Sequence, residues 1–408
     1  MKSIVNDDSF YRNPDPLRNP IVFYLGHSPA FYINKLVQAE LLPQQINPDY
    51  EILFEAGVDP DSPEHLEQAI DAIDWPQIKD IWHYRDSVRD VITQLIHTCN
   101  LERPIDPTHP LWALIMGMEH NRVHFETSSV LLRQFPTKHL KRPKDWQYAE
   151  TNNKTLENKM IAVSGGVASL GKPHNDSTYG WDSEYGHRTV DVQPFMASQY
   201  LVTNADFLQF VQENGYENPE FWDEESWQWK TDYEVKHPRF WIPQSQSAKG
   251  TYRYRTLFDE IELPFDWPVE VNHYEAAAYC RWQGERTRLM TEAEWTLVAA
   301  ECEDEQTLNL GLKFGSPSPV GSQAQASCGI YDLRGNVWEW LGDNFNPLPG
   351  FKPHPLYEDA AAPFFGDEHK MMMGGSWASN GSMAAKSYRN WFRPNFYQHA
   401  GFRTAQSL

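Results

Sequence analysis

The sequence predicts an α+β protein: a four-helix bundle followed by an irregular domain of short strands and helices, with the grammar changing near residue 150. Three observations carry this. Apolar residues recur at helical spacing through the first 150 residues. A polar stretch, Pro143 to Lys159, then interrupts them with Glu150-Thr151-Asn152-Asn153-Lys154 and reads as a linker. Beyond it the runs shorten and glycine punctuation becomes dense, at Gly165-Gly166, Gly335, Gly374-Gly375 and Gly401. Domains usually hold about 100–200 residues, so a chain of 408 suits two or three, and the change of grammar divides it into 1–150 and 151–408.

Each element has a local reason. Asn19-Pro20 opens a first helix, Ile21 to Leu36, whose Phe23, Leu25, Phe31, Ile33 and Leu36 form an apolar body. Tyr84 to Cys99 carries Val88, Ile92, Leu95 and Ile96, one face of an amphipathic helix. Pro110 to Phe135 is the longest candidate, stopped by Pro136. A fourth, Ser62 to Ala72, has Ser62 as N-cap and Pro63 in the first turn. Polar, proline-containing links between such helices suggest an antiparallel bundle. In the second half, Asn272-x-x-Glu275 and Thr291-x-x-Glu294 are capping-box signatures, the first opening a helix that Gly284 ends.

Composition excludes several function classes. Thirty-five basic against fifty-six acidic residues give a formal charge of −21. Long-range repulsion then opposes nucleic acid and anionic membranes as partners. No apolar run approaches the ~18 residues of a membrane span. The four cysteines, Cys99, Cys280, Cys302 and Cys328, form no CxxC pair, which argues against a disulfide scaffold and a thiolate zinc knuckle. With no apolar leader after Met1, the expectation is a soluble, cytoplasmic protein.

The sharpest chemistry is Glu119-His120-Asn121-Arg122-Val123-His124 in the long helix. Residues i and i+4 share a face, about 5–6 Å apart at Cβ, so both imidazoles can reach one metal ion. Two half-exposed histidines on an amphipathic helix are the plain alternative. His27, in Tyr24-Leu25-Gly26-His27-Ser28, sits inside an apolar helix, where a buried imidazole needs a polar reason. A core histidine bonded to a carbonyl would supply one. Two helices of one bundle giving one and two inward histidines would equally build a three-imidazole site, suited to zinc, iron(II), copper or nickel. Asn121 stands where a zinc-protease HExxH pattern needs its glutamate, so a metallopeptidase is not expected.

An ordered series of motifs covers nearly the whole chain. It runs from Phe10-Tyr11-Arg12 and Phe23-Tyr24-Leu25-Gly26-His27 through Gly117-Met118-Glu119-His120 and His124-Phe125-Glu126-Thr127. It continues with Gly180-Trp181-Asp182, Asp266-Trp267-Pro268-Val269-Glu270, Thr291-Glu292-Ala293-Glu294-Trp295, Gly335-Asn336-Val337-Trp338-Glu339-Trp340 and Gln398-His399-Ala400-Gly401-Phe402-Arg403. The series resembles the nonheme iron sulfoxide synthases. Their first domain is a DinB-like helical bundle and their second a formylglycine-generating-enzyme-like, C-type-lectin-related (sulfatase-modifying-factor) fold. The resemblance implies that His27, His120 and His124 hold Fe(2+). It further implies an O2-dependent joining of the cysteine sulfur to the imidazole ring of histidine, with oxidation to the sulfoxide, as in the ovothiol-pathway branch (5-histidylcysteine sulfoxide). Three neutral ligands keep the full metal charge, so a substrate thiolate can bind beside the imidazole and O2.

Two features of this sequence bear on the branch. Ovothiol-type members generally carry a fused methyltransferase, and none follows Arg403 here, which implies a separate methyltransferase or lyase acting downstream. Arg389-Asn390-Trp391 looks more like the ergothioneine-pathway synthases, which use hercynine, whereas Val123 looks more like the histidine-using branch. A hercynine-using or selenium-transferring enzyme is therefore the first alternative, and a non-enzymatic, metal-containing lectin-like binder the second. True formylglycine-generating enzymes use a cysteine pair near the carboxyl end; Ala378 to Pro394 contains none, so that activity is not expected.

The resemblance implies an active-site tyrosine, for which Tyr357 is the candidate, with an ordinary loop aromatic as the alternative. Arg85 and Arg89, at i, i+4, are candidates to clamp a cysteine carboxylate, unless they form a solvated face with Asp86 and Asp90. Asn390, Trp391 and Arg393 are candidates to shape an imidazole pocket. Trp338, Trp340 and Trp377 read as core of the second domain.

Overall fold

In the computed structural model, which describes residues 2–55, 66, 70, 73–100, 104–244, 250–302, 308–323 and 325–408, the chain forms two compact units. One comprises Met1–Lys144 with two short segments from later in the chain, Asn175–Tyr179 and His354–Glu358. The other comprises Asp145–His174, Gly180–Pro353 and Asp359–Leu408.

The first unit is helical. Helix α1, Ile21–Gln38, buries Phe23, Leu25, Phe31, Ile33 and Leu36 and, among the described residues, packs against the three helices given next. Helix α2, Pro48–Leu53, is short and begins where Asn47 Oδ1 accepts the Tyr50 N–H. Helix α3, Ile78–Thr98, starts six residues before the expected Tyr84 because Ile81 extends the buried stripe of Tyr84 and Val88. Helix α4, Trp112–Gln134, ends just before Phe135-Pro136. Of the fourth helix expected at Ser62 to Ala72, all but Leu66 and Ile70 lie outside the described residues. Glu51 is fully buried in α2, and its Oε1 accepts from the Ile46 and Asn47 amides and from the Tyr84 hydroxyl. That carboxylate ties α2 to α3, where an unsatisfied one would cost about 1–3 kcal/mol or more.

Two glycines set how closely this unit packs. A Cβ at Gly26 would come within 2.5 Å of the Phe54 ring, and one at Gly117 would overlap the Tyr32 ring. Each aromatic therefore lies directly on the backbone of a neighbouring helix.

The second unit is irregular. Its strands are β1 (Met160–Val163), β2 (Gly166–Leu170), β3 (Arg188–Val192), β4 (Phe195–Ser198), β5 (Trp241–Pro243), β6 (Tyr252–Arg255) and β7 (Glu260–Glu262). They continue with β8 (Thr287–Leu289), β9 (Trp338–Asn344), β10 (Lys370–Met373), β11 (Asn390–Phe392), β12 (Ala400–Phe402) and β13 (Thr404–Ser407). Two four-stranded sheets run β1-β4-β13-β8 and β11-β10-β9-β12; β2-β3 pair alone and β5-β6-β7 form a third small sheet. In the second sheet β12 joins β9 in parallel, with Gly401 opposite Glu339.

Local signals place the helices of this unit. Asn272 Oδ1 accepts the Glu275 N–H while Glu275 Oε2 accepts the Asn272 N–H, opening the helix His273–Gln283, which Gly284 ends at φ 122°. Thr291 and Glu294 do the same for Glu292–Ala299. Trp338, Trp340 and Trp377 are buried, as expected of core. Buried Arg403 bonds Glu339 through Nε at 3.1 Å and donates to the Ser198 and Tyr331 carbonyls. Among the described residues no helix is long and apolar enough to cross a membrane, and all four cysteines are free.

The Gly117 contact makes a prediction. Gly117→Ala gains up to about 1 kcal/mol of helix propensity. Forcing a methyl into the Tyr32 ring costs about 1–3 kcal/mol. Urea unfolding should show a net loss of stability; a variant as stable as the parent would show that α1 and α4 pack more loosely than described.

Candidate metal centre

Helices α1 and α4 bring His27, His120 and His124 to one point. His27 comes from the middle of α1, and His120 and His124 share a face of α4 one turn apart. Their Nε2 atoms form a nearly equilateral triangle: His27 to His120 is 3.2 Å, His27 to His124 is 3.0 Å, and His120 to His124 is 3.0 Å. His27 and His120 are buried and His124 partly so.

The surroundings aim each ring. His27 Nδ1 donates to the Phe54 carbonyl at 2.6 Å, which leaves its Nε2 as a lone pair facing the other two imidazoles. Gly26 allows this contact, since it lets the Phe54 ring close onto α1. Phe31 stacks on His120 at 3.6 Å and 7°, and the Tyr24 ring packs against His124 at 5.7 Å. The Nδ1 atoms of His120 and His124 are buried without a hydrogen-bond partner.

All three imidazoles are biased towards the neutral form. Burial pushes His27 down to about 4, although the Phe54 carbonyl opposes the shift. Burial also lowers His120, helped by His124, His27 and Lys35, and His124, helped by His27 and Arg18. One proton can lie between only two of three nitrogens so arranged. A further lone pair must therefore face a neighbour about 3 Å away, which a cation at the centre of the triangle relieves. The spacing also suits nitrogen–metal bonds of about 2.0–2.1 Å. At that length the three bonds meet at roughly right angles, as on one face of an octahedron. The residues fit a first-row divalent ion with open positions.

Tyr357 also belongs to the helical unit, through the segment His354–Glu358. His354 Nε2 lies 2.9 Å from the Pro107 carbonyl, and Gln38 donates to the Pro355 carbonyl at 2.9 Å. The Tyr357 ring packs edge-on to Phe31 at 5.2 Å and lies 6.4 Å from the His120 ring, with Lys35 Nζ 4.8 Å from its centre. The backbone acceptor at Phe54, the stacking Phe31 and the cation at Lys35 had not been singled out in the sequence. A glycine inside an apolar helix, Gly26, was the one available signal of close approach there.

The arginine pair is not brought together as a clamp. Arg89 is two-thirds exposed and pairs with Asp86 at 3.0 Å and Asp90 at 3.9 Å, which is the solvated-face arrangement. Arg85 turns inward instead, and its Nη1 donates to the Leu25 carbonyl at 2.6 Å. Both border a groove of about 330 Å³ with Ser28, Tyr32, Trp82 and Asn121, but the guanidinium groups are engaged separately. Asn390, Trp391 and Arg393 lie in the other unit. Trp391 stacks on Phe364 at 4.0 Å and packs against Phe345 and His369, Asn390 Oδ1 accepts the Trp391 N–H, and Arg393 pairs with Glu368 at 2.9 Å. Trp391 is partly buried and packs against its own unit's hydrophobic core.

Residues 146–408 match the family of the sulfatase-modifying factor enzyme 1-like domain, and the chain belongs to that family. It is 34% identical over 259 residues to a hercynine oxygenase of Mycobacterium tuberculosis, covering 59% of each chain. It is 25% identical over 495 residues to ergothioneine biosynthesis protein 1 of Neurospora crassa, covering all of this chain and 56% of that one. The formylglycine-generating enzyme of Thermomonospora curvata is 25% identical over 243 residues, covering 49% of this chain and 76% of that one. The chain thus spans less than two thirds of the length of the first two relatives.

The depressed histidines set an acid sensitivity. In the unfolded chain an imidazole takes up a proton near pH 6.5, whereas folded His27 does so only near 4. The unfolded state binds more protons between those values, so stability is full above about pH 6.5 and falls as pH drops towards about 4. Urea melts of the metal-free protein from pH 7.5 to 4.5 should show this fall, and His27→Gln should flatten it. An unchanged slope in that variant would contradict the buried, neutral assignment.

Proposed function

We propose that the chain is a nonheme iron(II) oxygenase, a sulfoxide synthase that joins a thiol sulfur to an imidazole ring carbon at the expense of O2. The observation that carries this reading is the buried Nε2 triangle of His27, His120 and His124. Its support from relatives lies in the names hercynine oxygenase and ergothioneine biosynthesis protein 1. A DinB-like bundle for residues 1–150, holding the metal, and a C-type-lectin-related domain for residues 151–408 complete the proposal.

The reaction balances simply. A thiol S–H and a ring C–H are given up, a C–S bond forms, one oxygen atom ends on sulfur and the other leaves as water with the two hydrogens. Iron(II), when bound, supplies O2 activation that organic side chains do not provide. The chain's own residues do the rest. His27, His120 and His124 bind as neutral ligands and keep the ion's full charge for an anionic thiolate. The Phe54 carbonyl fixes the His27 tautomer by holding its Nδ1 proton. Phe31, Tyr24 and Phe23 pack against His120, His124 and His27 in turn. Tyr357, held edge-on to Phe31, is assigned as the group that gives a proton or electron to the oxygen-derived species.

For the imidazole donor, the name hercynine oxygenase favours hercynine; cysteine and γ-glutamylcysteine are the thiols to test with it. Histidine, giving 5-histidylcysteine sulfoxide with a separate enzyme completing an ovothiol-type pathway, is the second reading, favoured by Val123 between the ligand histidines. The iron-loaded chain, given O2 and both donors in competition, should form a sulfoxide adduct with hercynine in excess by mass spectrometry. Excess histidine adduct would select the second reading. No adduct from any combination would overturn the synthase assignment.

A further inference from the structure

Helix α1 carries a proline in its interior, Pro29. Proline has no N–H, so the carbonyl four residues earlier, that of Leu25, loses its normal helical donor. An orphaned carbonyl in a buried helix is costly, and the chain would bend to find water or another partner. Here the missing donor comes from another helix: Arg85 Nη1 on α3 reaches the Leu25 carbonyl at 2.6 Å. Leu25 is buried, and the Arg85 guanidinium carbon lies 5.5 Å from the centre of the Trp82 ring.

The residue midway between Leu25 and Pro29 is His27. The interrupted rung thus brackets a vertex of the Nε2 triangle, and its side chain and backbone are anchored separately. The Phe54 carbonyl holds the ring through Nδ1, and Arg85 holds the backbone turn in which the ring is mounted. Small rotations of that turn move Nε2 by more than the tolerance of a coordination bond, since distances must hold within about 0.2 Å.

We propose that Arg85 is a positioning residue for the metal centre. By replacing the hydrogen bond that Pro29 removes, it sets the backbone of α1 at His27 so that all three Nε2 atoms converge. This rests on the reading of the triad as a metal site, and it assigns Arg85 a role other than binding a substrate carboxylate. Arg89, exposed and paired with Asp86, does not share it.

The test uses the whole chain and cobalt(II) as a visible probe. Arg85→Met should weaken cobalt binding by about 10–100-fold, the usual effect of losing a group that orients a ligand. It should also alter the ligand-field absorption at saturating cobalt, because His27 no longer meets the ion squarely. The decisive variant is Arg85→Met combined with Pro29→Ala, which returns an N–H to the Leu25 carbonyl. Affinity and spectrum should then recover to those of Pro29→Ala alone, whereas Arg89→Met should change neither. An Arg85→Met protein with parental affinity overturns the proposal. So does a double variant that is not rescued, since Arg85 would then act through its charge or packing. If the parent protein binds no cobalt, the metal reading fails by itself. Amide hydrogen exchange at Ala30 and Phe31 in the metal-free protein then still decides the backbone role: faster in Arg85→Met and restored in the double variant, or unchanged and against it.

Discussion

Three imidazole nitrogens held within 3.2 Å of one another are the constraint on which the helical unit depends. Left to themselves, buried neutral histidines turn to separate hydrogen-bond partners, because a lone pair facing a lone pair is unfavourable. Convergence has to be enforced by the backbones that carry the rings. α1 and α4 can lie close enough because Gly117 admits the Tyr32 ring, and α2 can close on α1 because Gly26 admits the Phe54 ring. Neither position has room for a side chain beyond hydrogen, and the close approach sets His27 on α1 opposite His120 and His124, which share one face of α4.

The same enclosure sets the chemistry. Burial lowers all three histidines, so the cluster offers lone pairs rather than protons at neutral pH. No carboxylate joins the cluster among the described residues. An all-imidazole set leaves the charge of a divalent ion uncompensated, which favours an anionic sulfur ligand over a neutral one. The aromatic rings of Phe23, Tyr24 and Phe31 around the imidazoles lower the local dielectric and strengthen that preference.

Much of this was legible in the sequence where the signal is local. The Asn272 and Thr291 capping boxes start their helices as read, because the cap and its partner are three residues apart and need no tertiary information. His120 and His124 share a face by helical geometry alone. His27 was legible as a polar residue inside an apolar helix, although its carbonyl partner was not, since Phe54 lies 27 residues further on. The passage of His354–Glu358 into the helical unit was invisible for a similar reason: nothing periodic links those five residues to Lys35 or Pro107. The Arg85 contact was not legible, because side-chain spacing along one helix says nothing of a carbonyl orphaned by a proline on another. Trp391 was equally ambiguous, since a tryptophan before a terminal strand lines a site or fills a core, and here it packs against one.

The central claim is that the triangle holds iron(II) with positions open to thiolate and oxygen. Purifying the chain without air, loading it with iron(II) and adding nitric oxide as an oxygen surrogate tests this most directly by electron paramagnetic resonance. The account predicts one iron per chain, a half-integer-spin nitrosyl signal, a shift of that signal on adding cysteine, and loss of the signal in His124→Ala. A chain that takes up zinc in preference, gives no nitrosyl signal, or gives one indifferent to thiol would contradict it.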